Sequence, residues 1–189
     1  MRINDDIIVK NTEEIEKLRV KSKDVPLPLS KEDEELIEAL HQYVVDSTDD
    51  EIAERENLKP AVGIAAIQIG IPKKMCAIVI NGEEGEPPIC DYALVNPKIV
   101  SQSVMQCYLK SGEGCLSVVD EHQGYIYRNY KIKVKAWDWV TKSDIVIQAK
   151  GYEAVVLQHE IDHLYGNLFY DHINKNDPFF EDPEAKVIE

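Results

Sequence analysis

The chain has 189 residues, 30% of them charged, and its 35 acidic against 21 basic side chains give a net charge of −14. A chain of this length buries roughly 70% of the surface its unfolded form exposes, which suits one domain spanning residues 1–189 with its own core. The acidic balance argues against nucleic-acid binding through a basic surface. The longest near-unbroken apolar run, residues 61–71, is about half of the roughly twenty residues a membrane helix needs, and four cysteines are too few for a disulfide scaffold.

The N-terminus has no basic start followed by an apolar stretch, so no secretory signal is visible and a reducing cytoplasm is the expected location. Residues 13–19 suggest a short helix, and Pro26 and Pro28 preclude its continuation. Ser30-Lys31-Glu32-Asp33 has the form of a capping box, and Leu36, Ile37, Leu40, Tyr43 and Val44 follow at helical spacing. The acidic stretch 46–57 extends this helix or interrupts it as a solvated insertion. Residues 61–71 are small and apolar, with Gly63 and Gly70 as sites of close backbone approach.

Residues 75–80 read as a buried strand and 81–88 as a turn-rich loop. Residues 89–95, 99–109, 123–127, 131–137 and 145–149 read as further strands. In the fourth of these, Ile132, Val134 and Ala136 alternate with three lysines, the pattern of a half-buried antiparallel strand. Residues 151–164 read as an apolar helix with Gly166 just past its end. The tail from residue 174 carries two prolines and several acids and is expected to be loosely ordered. Cys76, Cys90 and Cys107 are taken as packing residues. The order helix, strands, helix predicts an α+β fold with mainly antiparallel sheets.

The sharpest chemical signal lies in the last helix, at His159-Glu160-Ile161-Asp162-His163. Histidines four apart share one helix face and can bind one divalent cation, with the intervening Glu160 placed to act as a general base. The alternative is a pair of surface histidines on a charged helix. Two imidazoles leave a catalytic metal site one protein ligand short. His41, His122, His172 and many carboxylates are candidates on chemistry alone, as is Cys115 in Gly112-Glu113-Gly114-Cys115-Leu116-Ser117, whose thiolate would suit zinc or iron.

Three separated segments together resemble the peptide deformylases, and the acidic stretch before the first of them and the Gly124-Tyr125 region look like the larger type 2 subgroup. The three segments are Gly63-Ile64-Ala65-Ala66-Ile67-Gln68, Glu113-Gly114-Cys115-Leu116-Ser117 and His159-Glu160-Ile161-Asp162-His163, with LYGNLFYDHI continuing in the family manner. The first motif departs at Ala61, where the family usually has glycine, and Val118-Val119 stands where many members have Val-Pro.

The resemblance implies an enzyme that removes the formyl group from N-terminal formyl-methionine of nascent polypeptides and releases formate. It implies mainly antiparallel sheets packed around a central metal-binding HExxH helix. Cys115, His159 and His163 would hold one Fe²⁺, for which Zn²⁺, Ni²⁺ or Co²⁺ can substitute. Glu160 would carry the proton, and the Gln68 amide and Leu116 N–H would stabilise the oxyanion. Glu113 paired with Arg128 would orient the Cys115 loop, and Asp162 would hydrogen-bond near the ligands. Val62, Tyr152, Val155 and Val156 would form an apolar pocket for the methionine side chain, and Gly63 would leave room for extended peptide backbone. Transient association with the ribosome is a further expectation, with no direct nucleic-acid binding and no membrane partner.

Two rivals make different demands. A zincin-type peptidase needs a third ligand downstream of the helix. A catalytically inert module with a structural metal needs a closed four-ligand site and neither Glu160 nor Gln68.

Overall fold

A computed structural model describes residues 1–189. In chain order the first elements are α1 (Asn11–Leu18), α2 (Lys31–Ser47), α3 (Asp50–Glu56), β1 (Gly63–Ala65), β2 (Met75–Ile80), β3 (Cys90–Gln102) and β4 (Gln106–Leu109). They are followed by β5 (Arg128–Asn129), β6 (Lys131–Asp138), β7 (Ser143–Lys150), α4 (Tyr152–Leu164) and β8 (Lys186–Ile188). A five-stranded sheet runs β1-β2-β3-β6-β7, antiparallel throughout, and a three-stranded sheet runs β5-β4-β8. The fold is α+β, as expected. No helix is long and apolar enough to cross a membrane.

The large sheet is covered on both faces. Cys76, Ile78 and Ile80 of β2 join the cluster that includes Ala154, Leu157, Ile161 and Leu164 of α4. Met75, Ala77 and Val79 join the cluster that includes Ile37, Leu40 and Val44 of α2. This is the two-residue alternation of a strand buried on both sides. Cys76, Cys90 and Cys107 are buried, unpaired thiols in this packing. Burial pushes their pKa values up, to about 12 for Cys90 and about 11 for Cys107.

The Ser30 cap forms as expected: its hydroxyl accepts the Asp33 N–H at 3.1 Å. The acidic stretch after α2 is a separate helix, α3, capped by the Asp49 carboxylate. The β6 alternation holds, with Ile132, Val134 and Ala136 inside and three lysines outside.

Three expectations need correction. Residues 90–102 are one strand, because the Asn96-Pro97 step is absorbed as a bulge, and the expected strand 99–109 is broken at 103–105, which leaves 106–109 as β4. Asn96 takes a positive φ of 52°, and its side-chain amide pairs with both the N–H and the C=O of Val25 at 2.8 Å. Residues 123–127 form no strand; Tyr125 N–H instead donates to the Pro178 carbonyl, and pairing with β4 begins only at β5. The tail is tied down, since β8 pairs in parallel with β4 at Cys107, Tyr108 and Leu109. Main-chain pairing to an open sheet edge overrides the polar composition there.

Candidate active site

Helix α4 leaves β7 through Gly151 and ends at Gly166, whose φ of +77° sets its backbone against the Arg19 carbonyl so closely that a Cβ would collide with it. Between these ends the helix buries Ala154, Leu157, Ile161 and Leu164 in the core, which fixes its rotation. The opposite stripe, Val155, Val156, His159 and Glu160, lines a cleft of about 790 Å³. On the far wall lies the loop between β4 and β5, which contributes Cys115 and Leu116.

One ligand atom each from Cys115, His159 and His163 falls within 4.8 Å of the others. Cys115 Sγ is 3.3 Å from His163 Nε2. His159 Nδ1 bonds Glu113 Oε1 at 2.9 Å, which leaves Nε2 as the ring nitrogen available to the group. The open candidates resolve accordingly. His41 Nε2 lies 2.6 Å from Asp91, His122 Nε2 2.7 Å from Asp120 and His172 Nε2 2.7 Å from Asp162; none joins the group.

Burial alone would raise the Cys115 pKa, but the His163 and His159 rings outweigh it and bring the thiol down to about 5. Burial would lower the His159 pKa, yet its bonds to Cys115 and Glu113 hold it well above the ordinary value. The sulfur is therefore held as thiolate, the form in which it ligates a metal. Two imidazoles and a thiolate with a polarised second shell form a donor set that fits a transition-metal ion.

Glu160 is buried, and burial raises its pKa against the opposing pull of His159 and His163. Its Oε2 has no partner in the protein. Gly63 was expected to make room for peptide backbone; the structure shows a different neighbour, since a Cβ at Gly63 would sit 2.6 Å from Glu160 Oε1. The glycine makes room for the carboxylate.

Gln68 is buried in the turn after β1. Its Oε1 accepts the Ala65 N–H at 2.9 Å, so its amide nitrogen faces the other way, toward Ser117 Oγ (3.2 Å) and Cys115 Sγ (3.4 Å). The Leu116 N–H donates to no group of the protein, while its C=O accepts from Lys10 Nζ at 3.2 Å.

The expected Glu113–Arg128 pair is present and bidentate, at 2.7 and 2.8 Å, with both side chains almost fully buried. It is part of a longer chain. Arg128 Nη1 also reaches Asp162 Oδ2 at 2.9 Å, and His172 meets the same oxygen. Burial would raise the Glu113 pKa, but His159 and Arg128 hold it below the usual carboxylate range; His172 and Arg128 do the same for Asp162. Val62 and Tyr152 line the cleft partly exposed, whereas Val155 and Val156 are almost wholly buried and Val156 belongs to the core.

Sequence reasoning missed Gln158, Ser117, Lys10 and Asn11. Gln158 ties α4 to β5 by accepting the Asn129 N–H and donating to its C=O. Its position beside His159 was the available signal; Lys10 and Asn11 gave none.

An α+β fold that brings a thiolate and two imidazoles together beside a buried carboxylate, in a cleft, defines a metal-dependent hydrolase. A family model described as polypeptide deformylase matches residues 6–179. A peptide deformylase of Staphylococcus epidermidis is 44% identical over 171 residues, covering 90% of this chain and 92% of that protein. One from Oceanobacillus iheyensis is 48% identical over 155 residues, covering 82% and 83%. The crystal structure of peptide deformylase from Ehrlichia chaffeensis superposes with a TM-score of 0.70 at 29% identity, covering 94% of this chain and 91% of that one. The same protein in complex with actinonin gives 0.68 at 28% identity, covering 94% and 92%. The chain belongs to the polypeptide deformylase family, and its activity is the hydrolytic removal of N-formyl groups from nascent peptides.

Proposed function

We propose that residues 1–189 act as one catalytic domain in which Cys115, His159 and His163 hold a single divalent cation on the helix α4 and its facing loop. Fe²⁺ is the proposed native ion, with Zn²⁺, Ni²⁺ or Co²⁺ as substitutes, since a soft thiolate with two imidazoles suits this group of metals. When bound, the cation supplies Lewis acidity, making water a usable nucleophile near neutral pH and polarising the formyl carbonyl.

The protein's own groups supply the rest. Glu160 accepts a proton at its unpartnered Oε2 and passes it to the leaving amine. Its raised proton affinity, a result of burial, suits that exchange. The Gln68 amide, next to the Cys115 sulfur, and the unpartnered Leu116 N–H donate to the developing oxyanion. Glu113, Arg128 and Asp162 hold the His159 ring and the Cys115 loop in position. The edge of β1 not paired with β2 borders the cleft and can take extended peptide backbone in β fashion. Val62, Tyr152, Val155 and Val156 shape an apolar recess for an unbranched methionine side chain. A substrate made at the ribosome places the enzyme in the cytoplasm and in transient reach of the ribosome.

The observation that carries this reading is the convergence of three donor atoms beside a buried carboxylate with a free oxygen. Its test is formate release from a formyl-Met peptide by Fe²⁺-loaded protein kept anaerobic, comparing wild type with Glu160→Ala. The variant is expected to retain metal and lose about 10²- to 10⁴-fold in kcat. Equal rates would refute the proton-carrying role.

A further inference from the structure

The loop that contributes Cys115 and Leu116 has no regular structure of its own between β4 and β5. Its position relative to the Gln68 turn is therefore decided by contacts from elsewhere. On the Arg128 side these are the ion pairs described above. On the other side they come from three consecutive residues at the N-terminal end of the chain, Val9, Lys10 and Asn11.

The Val9 N–H donates to the Gln68 carbonyl at 2.8 Å. Lys10 Nζ donates to the Leu116 carbonyl at 3.2 Å and to Asp5 Oδ1 at 2.8 Å, with only 14% of its side chain exposed. The Asn11 N–H donates to the Ser117 carbonyl at 2.8 Å, its Oδ1 accepts the Val119 N–H at 3.2 Å, and its Nδ2 donates to Asp120. Asn11 is itself buried. Gln68 Nε2 to Ser117 Oγ then closes a ring through the Gln68 turn, the N-terminal segment and the Cys115 loop.

The chemistry of these contacts is specific. A half-buried lysine placed on a peptide carbonyl makes a charge-assisted hydrogen bond, stronger than a neutral one. A buried asparagine that pairs with the Ser117 carbonyl and the Val119 N–H leaves the loop little freedom to shift, because a broken bond would strand buried polar groups. The ring joins the two residues that carry the proposed oxyanion donors, Gln68 through its carbonyl and Leu116 through its own.

We propose that Val9–Asn11 is a clasp that sets the spacing between the Gln68 amide and the Leu116 N–H, with Lys10 and Asn11 as positioning residues for deformylation. The proposal rests on the reading of Gln68 and Leu116 as oxyanion donors. Neither residue touches the cleft; both act through the loop. Donors matched to the transition state lose their effect when displaced, and a shift of about 1 Å costs up to about 10²-fold in rate.

The test compares Lys10→Met, Lys10→Arg, Asn11→Ala and Gln68→Ala, each as metal-loaded full-length protein, by kcat, KM, bound metal and Tm. Lys10→Met and Asn11→Ala are expected to lower kcat by about tenfold or more, with KM within about twofold of wild type and metal stoichiometry unchanged. Lys10→Arg, which keeps a charged donor for Leu116, is expected to restore most of the rate. If both variants lose Tm but keep kcat well below that Tm, the segment is merely structural and the proposal is overturned. Failure of Lys10→Arg to rescue overturns it as well. Should Asn11→Ala not fold, Lys10→Met and its arginine rescue decide alone. Gln68→Ala separates the two layers. If it loses rate while Lys10→Met and Asn11→Ala do not, the donor reading stands and the clasp fails; if it keeps full rate, the donor reading falls and takes the clasp with it.

Discussion

The two walls of the cleft are built by opposite means. On one wall His159, Glu160 and His163 ride on α4, a helix whose rotation is set by the burial of Ala154, Leu157, Ile161 and Leu164. On the other, Cys115 and Leu116 sit in an irregular loop held by Glu113 to Arg128 and by Lys10 and Asn11. The helix carries His159 and His163 at a spacing that follows from 3.6 residues per turn. The loop has no such internal ruler and relies on polar contacts from distant segments. Precision on the first wall comes from apolar packing, and on the second from a network of hydrogen bonds and ion pairs.

The largest expected effect comes from removing the loop's proposed ligand. Cys115→Ala should abolish stoichiometric metal binding, measured by elemental analysis of the loaded protein, and formate release should vanish with it. Full metal retention would mean that the helix wall suffices alone, and the comparison would break. Next is Gly63→Ala, whose Cβ must displace the Glu160 carboxylate. A loss of about 10²-fold in kcat with metal content intact is expected; an unchanged rate would show that Glu160 has room to spare.

Loosening the loop's anchor should be milder. Arg128→Met or Glu113→Gln is expected to weaken metal affinity by about 10- to 100-fold in competition with a chelator. Glu113 also gives a pH signature. Its folded pKa lies below the ordinary value of 4.5, so the unfolded chain takes up the proton first as pH falls. The stability it contributes is complete above about pH 4.5 and is lost as pH drops through the lower folded value. Tm followed from about pH 6 to about pH 3 should fall at the acid end, and Glu113→Gln should flatten that limb. The smallest effect on catalysis is expected at the β3 bulge. Asn96→Ala removes both bonds to Val25, costing about 1 to 3 kcal/mol in denaturant unfolding while leaving kcat unchanged.

Much of this molecule was legible before any coordinates. The alternation in β6, the Ser30 cap and the apolar stripe of α4 are local patterns, and local patterns survive folding because they repeat at the period of the element. His159 and His163 share a face for the same reason. The Glu113–Arg128 pair was visible through family resemblance, but its continuation to Asp162 and His172 was not. The misjudged parts all involve partners far along the chain: Asn96 against Val25, Tyr125 against Pro178, and β8 against β4.

The sequence by itself determined that two imidazoles and a carboxylate lie together on one helix, because helical geometry converts spacing into position. Only the tertiary structure brings Cys115, and not His41, His122 or His172, to the two imidazoles, packs Glu160 beside Gly63, and sets Lys10 and Asn11 against the loop opposite. Those outcomes depend on which distant groups can bury together and find polar partners, and no spacing within a single segment encodes that.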